Sequence, residues 1–192
     1  MGITMRQFLM SVFEVLEVAL VAIGAVFLIR TFLIQPFLVS GNSMVPSFSN
    51  GDYLLVDELS YYFRGAHRGE VVVFKYPKDE TQSTYFIKRV IGVPGDRVVV
   101  KDGHVVIYND KYPEGLTLSE KYLPPSTPTL ARPNGQSDFK LGPGEYLVLG
   151  DNRNQSFDSR DWGILRSDEI IGLVRLRLWP VQGFTVFAAP QY

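Results

Sequence analysis

The sequence contains no cysteine and only two histidines, and each scarcity excludes a kind of chemistry. Without cysteine the chain has no disulfides, no thiolate nucleophile and no thiolate metal ligands. His67 and His104 each lack a second histidine at metal-ligand spacing, and both are expected at the surface. The 19 basic and 20 acidic residues nearly balance, which leaves no basic footprint for nucleic acid. We therefore expect no metal and no nucleic-acid partner.

One long apolar run is present near the N-terminus. Between residues 8 and 39 the only charges are Glu14, Glu17 and Arg30. A helix over residues 10–34 would be roughly 37 Å long at about 1.5 Å per residue, which exceeds a hydrocarbon core of about 30 Å. The pattern predicts a short cytoplasmic tail (residues 1–9) and one transmembrane anchor (residues 10–35).

Two alternatives to an anchor are a removed secretory signal and a buried helix of a soluble domain. No small-x-small cleavage site follows the run convincingly, which disfavours the signal. Arg6 and the N-terminal amine favour a cytoplasmic tail, although Arg30 at the other end weakens this bias. The rest of the chain, residues 36–192, is then expected on the extracytoplasmic side.

After Pro36 the pattern changes to short β-type runs separated by Gly, Pro, Asn and Asp. The predicted strands are residues 53–56, 70–76, 85–93, 97–101, 104–108, 145–149 and 172–179. Asp102-Gly103 between two valine-rich runs predicts a type I′ hairpin turn. We expect a mainly β domain, built as an antiparallel sheet or a partly open barrel.

A proline-rich stretch interrupts the predicted β domain between residues 123 and 144. Because proline cannot donate to a strand ladder, we expect an extended excursion outside the sheet. Such an excursion could be a mobile flap.

The first motif with chemical potential is SGNSMVPS, residues 40–47, directly after the apolar segment. Gly41 and Pro46 lie on either side of Ser43 and can expose its hydroxyl. They can also direct backbone N–H groups at one point, as an oxyanion hole requires. By itself the motif fits an ordinary turn between helix and strand equally well.

A serine nucleophile needs a base, and with surface histidines the remaining choice is a lysine that has lost its proton. Lys88 lies in YFIKRVIG, where alternation places it on one face with Phe86 and Val90. Lowering its pKa from about 10.4 to near 8 by burial requires that the environment disfavour the ammonium form, relative to the neutral amine, by roughly 3 kcal/mol. The alternative is an edge lysine that discourages strand aggregation. The neighbouring Arg89 is expected to be ion-paired.

The third motif is GDNRNQSFDSRDWG, residues 150–163, which follows a predicted strand. Its many hydrogen-bonding side chains predict a loop ordered by its own network, although a solvated loop with local turns is the alternative. Such a loop could brace Lys88 through hydroxyls, without an adjacent carboxylate that would keep the lysine charged.

These motifs and the apolar segment resemble, in their order, the conserved boxes of bacterial type I signal peptidases. The matching residues are Ser43-Met44 with Pro46, Gly51-Asp52, Lys88-Arg89-Val90 with Gly92 to Asp96, and Gly150-Asp151-Asn152-Arg153 to Gly163. The resemblance implies that Ser43 is the nucleophile and Lys88 the general base. It further implies that Ser156 orients Lys88 and that Asp158 and Arg160 form a supporting ion pair.

The same resemblance implies a membrane-anchored serine endopeptidase with a Ser/Lys dyad, which needs no metal and no organic cofactor. It would cleave signal peptides from exported preproteins after small residues at the first and third positions before the cut. The expected location is the bacterial cytoplasmic membrane, with a single span. Its partners would be signal peptides and the lipid bilayer, and we expect a functional monomer.

Gly41 departs from family members that have a serine two residues before the nucleophile. The oxyanion hole is then expected to rest on the backbone N–H of Ser43. We expect the substrate to bind as an extended strand near Ser43. The candidate pocket walls, which could equally be core residues, are Val39, Leu54, Val56 and Ile87.

The sequence also allows three other functional interpretations. One is a membrane-anchored, non-catalytic β module that binds extended peptides. Another is a penicillin-binding or β-lactamase-like enzyme, prompted by Ser137-x-x-Lys140 but without any Lys-Thr-Gly motif. A self-cleaving Ser/Lys repressor is disfavoured by the apolar N-terminus. Met44 and Phe48 could rest at the bilayer or belong to the core.

Overall fold

The computed structural model describes residues 5–32, 34–81, 84–125, 127–133 and 135–188. Residues 1–4 of the predicted tail and residue 33 of the predicted anchor lie outside these ranges. Positions 126 and 134 of the predicted excursion lie outside them as well.

The described chain contains one long helix, two short helices and many short strands. The helices are α1 (Met5–Phe32), α2 (Glu58–Arg64) and α3 (Ser159–Trp162). The strands are β1 (Ile34–Leu38), β2 (Tyr53–Asp57), β3 (Val71–Lys75), β4 (Tyr85–Gly92), β5 (Arg97–Lys101), β6 (His104–Asn109), β7 (Tyr112–Thr117), β8 (Asp138–Lys140), β9 (Glu145–Leu149), β10 (Leu165–Arg166), β11 (Ile170–Trp179) and β12 (Thr185–Val186). Two 3₁₀ turns occupy Ser167–Glu169 and Val181–Gly183.

The apolar N-terminal segment is helical, but the helix ends earlier than the predicted anchor does. α1 ends at Phe32, and β1, which begins at Ile34, pairs antiparallel with β2. Pro36 explains the difference, because the residue before a proline is disfavoured in helical backbone. None of the helices in the described ranges combines the length and apolar character that crossing a membrane requires. Large side chains of α1 such as Phe13 and Leu20 are more than 70% exposed.

The strands form two antiparallel sheets. The larger sheet has the order β1-β2-β11-β3-β4-β9-β10, with β12 added to β11, and the smaller has the order β7-β6-β5-β8. Both orders are linear, so the described strands do not close a barrel. The expected mainly β, antiparallel architecture is therefore confirmed, in the form of two open sheets. Strand alternation shows which face of a strand is buried, but it does not show whether the two edge strands meet.

All seven predicted strands are present, each within two residues of its predicted ends. The predicted hairpin turn also forms, with positive φ at Asp102 (+52°) and Gly103 (+79°) between the paired β5 and β6. The strands that sequence reasoning missed are β1, β7, β8, β10 and β12, of which three have only two or three residues. Such short strands form because a partner strand is present, which a local pattern does not reveal.

The larger sheet is buried on both faces at its centre. In β3, Val72 and Phe74 join one apolar cluster, while Val71 and Val73 join another on the opposite face. A third cluster lies between β4, β9 and the smaller sheet. The second face of the larger sheet supports the segment that carries Ser43.

The proline-rich stretch does not stay outside the ladder as expected. Residues 138–140 form β8, which pairs with β5 through Val98 opposite Phe139. Phe139 is fully buried and provides the apolar contact that draws this part of the stretch into the smaller sheet. Thr129, Leu130 and Arg132 of this stretch contact the loop of residues 150–163.

Candidate active site

Ser43 lies on a loop between β1 and β2 that is closed at its base. Val39 and Gly51 extend the ladder beyond the two strands, because the Gly51 N–H donates to the Val39 carbonyl at 2.9 Å. Met44 and Phe48 are 1% and 0% exposed, so the loop is anchored in the core and neither residue is available to a bilayer. Ser43 itself is partly exposed between these anchors.

Lys88 on β4 reaches the hydroxyl of Ser43. Its Nζ donates to Ser43 Oγ at 2.7 Å and to the carbonyl of Ile87 at 2.9 Å. The residue is 3% exposed, and Nζ lies 5.2 Å from the centre of the Phe86 ring. This environment matches the buried lysine expected from alternation rather than an edge lysine facing solvent.

Burial dominates the protonation of Lys88. Removal of the ammonium from water lowers the pKa of Lys88 to about 8, whereas the negative charges of Asp158 and Asp151 act in the opposite direction. Neither carboxylate keeps Lys88 charged, because burial outweighs both, so the loop of residues 150–163 agrees with what was expected of it on this point.

Each of these carboxylates is paired with a buried arginine. Arg89 binds Asp151 through two hydrogen bonds of 2.8 and 2.6 Å, which is the ion pair expected for Arg89. Arg160 binds Asp158 in the same way, at 2.9 and 2.8 Å. Burial alone would raise the pKa of Asp158, but the contacts with Arg160 hold it below its ordinary value. The arginines thus offset the charges that would keep Lys88 protonated.

The loop of residues 150–163 contacts the Ser43 loop directly. The Asn152 N–H donates to the Ser43 carbonyl at 3.0 Å, and its side chain donates to the Asn42 carbonyl at 3.1 Å. Gly150 makes the closest approach, because a Cβ placed there would lie 2.2 Å from Ser156 Oγ and 2.4 Å from the Ser43 carbonyl oxygen. Gly150 and Asn152 were named from the sequence only as members of the third motif, without a role of their own.

Ser156 is buried at this junction, with 2% of its surface exposed. Its hydroxyl helps to hold the pKa of the Asp158 carboxyl below its ordinary value, although it makes no hydrogen bond of normal geometry to the described residues. Lys88 donates to Ser43 and Ile87 in this structure, and the orienting role of Ser156 stays a prediction.

A cavity of about 310 Å³ opens beside Ser43 and Lys88. Of the predicted pocket walls, Val39, Leu54 and Ile87 line it, whereas Val56 does not and is fully buried in the core cluster behind it. Sequence reasoning missed the aromatic part of the wall and one polar member, which are Phe37, Tyr85, Phe86, Phe157 and Gln155. Tyr85 and Phe86 lie on the same strand as Lys88, two or three residues before it, and this position could have indicated that they line the cavity.

Residues of the competing interpretations lie elsewhere. His67 and His104 are exposed, as are Ser137 and Lys140, and none of the four lines the cavity. Within the described ranges, no three histidine, aspartate or glutamate residues are grouped so that they could hold a metal ion.

Comparison with known proteins gives consistent matches. Residues 12–179 match the family described as signal peptidase, peptidase S26. A probable signal peptidase I-2 of Synechocystis sp. is 38% identical over 159 residues, covering 80% of this chain and 66% of the relative. A signal peptidase IB of Staphylococcus aureus (strain Mu50) is 35% identical over 171 residues, covering 85% and 87%. A signal peptidase I crystal structure from Enterococcus faecalis V583 is 29% identical with a TM-score of 0.43, covering 56% of this chain and 95% of that one.

Proposed function

The chain belongs to the signal peptidase family, peptidase S26, and we propose that it is a serine endopeptidase that cleaves signal peptides with Ser43 as nucleophile and Lys88 as general base. The observation that carries this assignment is the 2.7 Å contact between Lys88 Nζ and Ser43 Oγ inside a buried site. It joins a nucleophile and a base within hydrogen-bond reach, as covalent catalysis requires.

The proposed reaction begins with neutral Lys88. Its amine accepts the hydroxyl proton of Ser43 as Oγ attacks the scissile carbonyl, and the resulting ammonium then gives this proton to the leaving amine. Lys88, neutral again, takes a proton from water as the water oxygen attacks the acyl ester. The ammonium then returns this proton to Ser43 Oγ as the C–Oγ bond breaks, which releases the carboxylic acid product and restores the free hydroxyl. A lysine with a pKa of about 8 suits both directions of transfer near neutral pH.

We propose that the backbone N–H of Ser43 stabilises the oxyanion. This N–H makes no hydrogen bond within the described part of the chain, whereas the N–H of Gly41 already donates to Asn50 Oδ1 at 3.0 Å. Gly41 has no side-chain hydroxyl and its N–H is already used, so the Ser43 N–H is the backbone donor that we assign to the oxyanion hole. A single preorganised donor contributes on the order of 3 kcal/mol to such a transition state.

The substrate is proposed to bind as an extended strand along β4. Residues 85–88 of β4 pair with β3 on one side, and β9 joins on the other side only from Arg89 onward. The open side faces the cavity, whose walls include Val39, Leu54 and Ile87. A cavity of about 310 Å³ shared between alternate side chains favours small residues at the first and third positions before the cut.

We also propose that α1 attaches the enzyme to a lipid bilayer, with the catalytic domain on the extracytoplasmic side. The support is the exposure of large apolar side chains such as Phe13 and Leu20, together with the short distance along the chain from α1 to Ser43. A shared membrane surface raises the effective concentration of an embedded signal peptide. Co-flotation of the full chain with phospholipid vesicles tests attachment, and recovery of the protein only in the vesicle-free fraction would refute it.

Cleavage of a synthetic preprotein by the purified full chain tests the catalytic assignment. Ser43→Ala and Lys88→Ala should each lose cleavage, whereas Ser137→Ala and Lys140→Ala provide a matched serine and lysine at exposed positions and should cleave normally. Wild-type cleavage by Ser43→Ala or Lys88→Ala would refute the dyad. Binding of the preprotein without cleavage by the wild type would instead favour the non-catalytic module.

A further inference from the structure

We propose that Arg132, in the proline-rich stretch, is a positioning residue that fixes the turn carrying Ser156. This inference rests on the role proposed for Ser156, implied by the family resemblance, in orienting Lys88. Arg132 lies outside the motifs that carried the resemblance and does not line the cavity beside Ser43.

The guanidinium of Arg132 holds the turn at two points. Nη2 donates to the main-chain carbonyl of Ser156, and Nε pairs with Asp161 Oδ1 at 3.1 Å. The other oxygen of Asp161 accepts the N–H of Asp158 at 3.1 Å. One side chain therefore holds Ser156 directly and Asp158 through one intermediate.

Arg132 is itself held against the same loop. The Gly135 N–H donates to the Arg132 carbonyl at 3.1 Å, which turns the chain back. A Cβ at Gly135 would lie 2.2 Å from the Arg160 carbonyl oxygen, so the two backbones are in close contact there. On the other side of Arg132, the Leu130 carbonyl accepts from Arg160 at 3.2 Å. The residues on either side of Arg132 are thus held against the loop of residues 150–163, which keeps the Arg132 guanidinium next to Ser156 and Asp161.

Ser156 depends on this support because its side chain has little of its own. Its buried hydroxyl interacts with the Asp158 carboxylate but makes no hydrogen bond of normal geometry to the described residues, so the place of Oγ depends on its backbone and on Asp158, and Arg132 helps to hold both. A misplacement of about 1 Å can cost on the order of 100-fold in rate. The side chains of Arg132 and Asp161 are 25% and 22% exposed, so replacing Arg132 does not leave a fully buried charge without a partner.

The test is a double-mutant cycle measured by kcat and KM for cleavage of a synthetic preprotein. Arg132→Lys keeps the charge but not the forked geometry, and Arg132→Gln is a second variant that keeps a donor without the charge. Each should lower kcat about 10- to 100-fold with KM within about twofold. In the Ser156→Ala background, Arg132→Lys should lower kcat by no more than about twofold. Arg97→Lys, in the exposed ion pair with Asp138, is the matched control and should leave kcat unchanged.

Two results would overturn the inference while leaving the dyad intact. One is a wild-type kcat for both Arg132 variants, and the other is an equal factor of loss with and without Ser156→Ala. A wild-type kcat for Ser156→Ala would remove the proposed role of Ser156 and this inference together. Cleavage by Ser43→Ala or Lys88→Ala is the separate result that would overturn the proposed function itself.

Discussion

Replacing Lys88 with methionine is expected to abolish cleavage and to change how the stability of the fold depends on pH. In the native protein, burial lowers the pKa of Lys88 from 10.5 to about 8. In the unfolded chain the amine regains its ordinary pKa of about 10.4. Between these values the unfolded state binds a proton that the native state does not, so the free energy of unfolding of the wild type rises with pH.

The size of the effect follows from the two pKa values. Below pH 8 the native protein carries the full cost of a buried ammonium, about 3 kcal/mol, and this cost falls to about 0.7 kcal/mol at pH 10. Methionine has no ionisable group, so the Lys88→Met variant does not carry this pH-dependent cost. It also removes the hydrogen bonds to Ser43 and Ile87, worth about 1 kcal/mol each. The stability of Lys88→Met relative to the wild type should therefore be about 2.5 kcal/mol more favourable at pH 7 than at pH 10.

Urea unfolding of both proteins at pH 7 and pH 10, in the same mild detergent, measures this difference. Lys140→Met is the matched control, because Lys140 is an exposed lysine on β8 and its replacement should give the same difference at both pH values. A relative stability of Lys88→Met that does not change between pH 7 and pH 10 would show that Lys88 titrates normally in the native protein. Lys88 would then be protonated near neutral pH, which would contradict its proposed role as general base.

Three further predictions concern the same site. Below pH 8, kcat/KM should fall about tenfold per pH unit as Lys88 becomes protonated, and a single limb near 6.5 in the pH profile would instead indicate a histidine. Gly150→Ala should lower kcat on the order of 100-fold, because its Cβ would lie 2.2 Å from Ser156 Oγ, and a wild-type kcat would contradict that close approach. Glu120→Gln should lower the free energy of unfolding by about 3 kcal/mol in urea titrations, since the fully buried Arg153 loses its charged partner, and an unchanged midpoint would contradict this.

The features that could be predicted from the sequence are those with a local or alternating pattern. β5 and β9 occupy their predicted residues, and the turn at Asp102-Gly103 forms because two adjacent residues meet its φ requirement. The face of β4 that carries Lys88 followed from period-2 alternation, and the structure brings that lysine to Ser43. These predictions needed only the residues of one strand or one turn.

The features that could not be predicted depend on segments far apart in the chain. β8 and β10 are too short to have a pattern of their own, and each exists because a partner strand pairs with it. The proline-rich stretch was expected to be an extended excursion outside the sheet, yet Arg132 joins it to Ser156, which lies 24 positions further along the chain. Proline content indicates only that a segment is not a central strand, and it does not reveal which side chains bind elsewhere.

The charges around Lys88 show why composition alone was an incomplete guide to its base chemistry. Asp151 and Asp158 both act to raise its pKa, so a lysine with only these neighbours would stay charged. Arg89 and Arg160 bind the two carboxylates at 2.6 and 2.8 Å, which offsets much of their field at Nζ. Burial then decides the outcome and lowers the pKa. The neutral base therefore depends on the buried surroundings of β4, and loss of either arginine should raise the pKa of Lys88, because it would leave the partner carboxylate uncompensated.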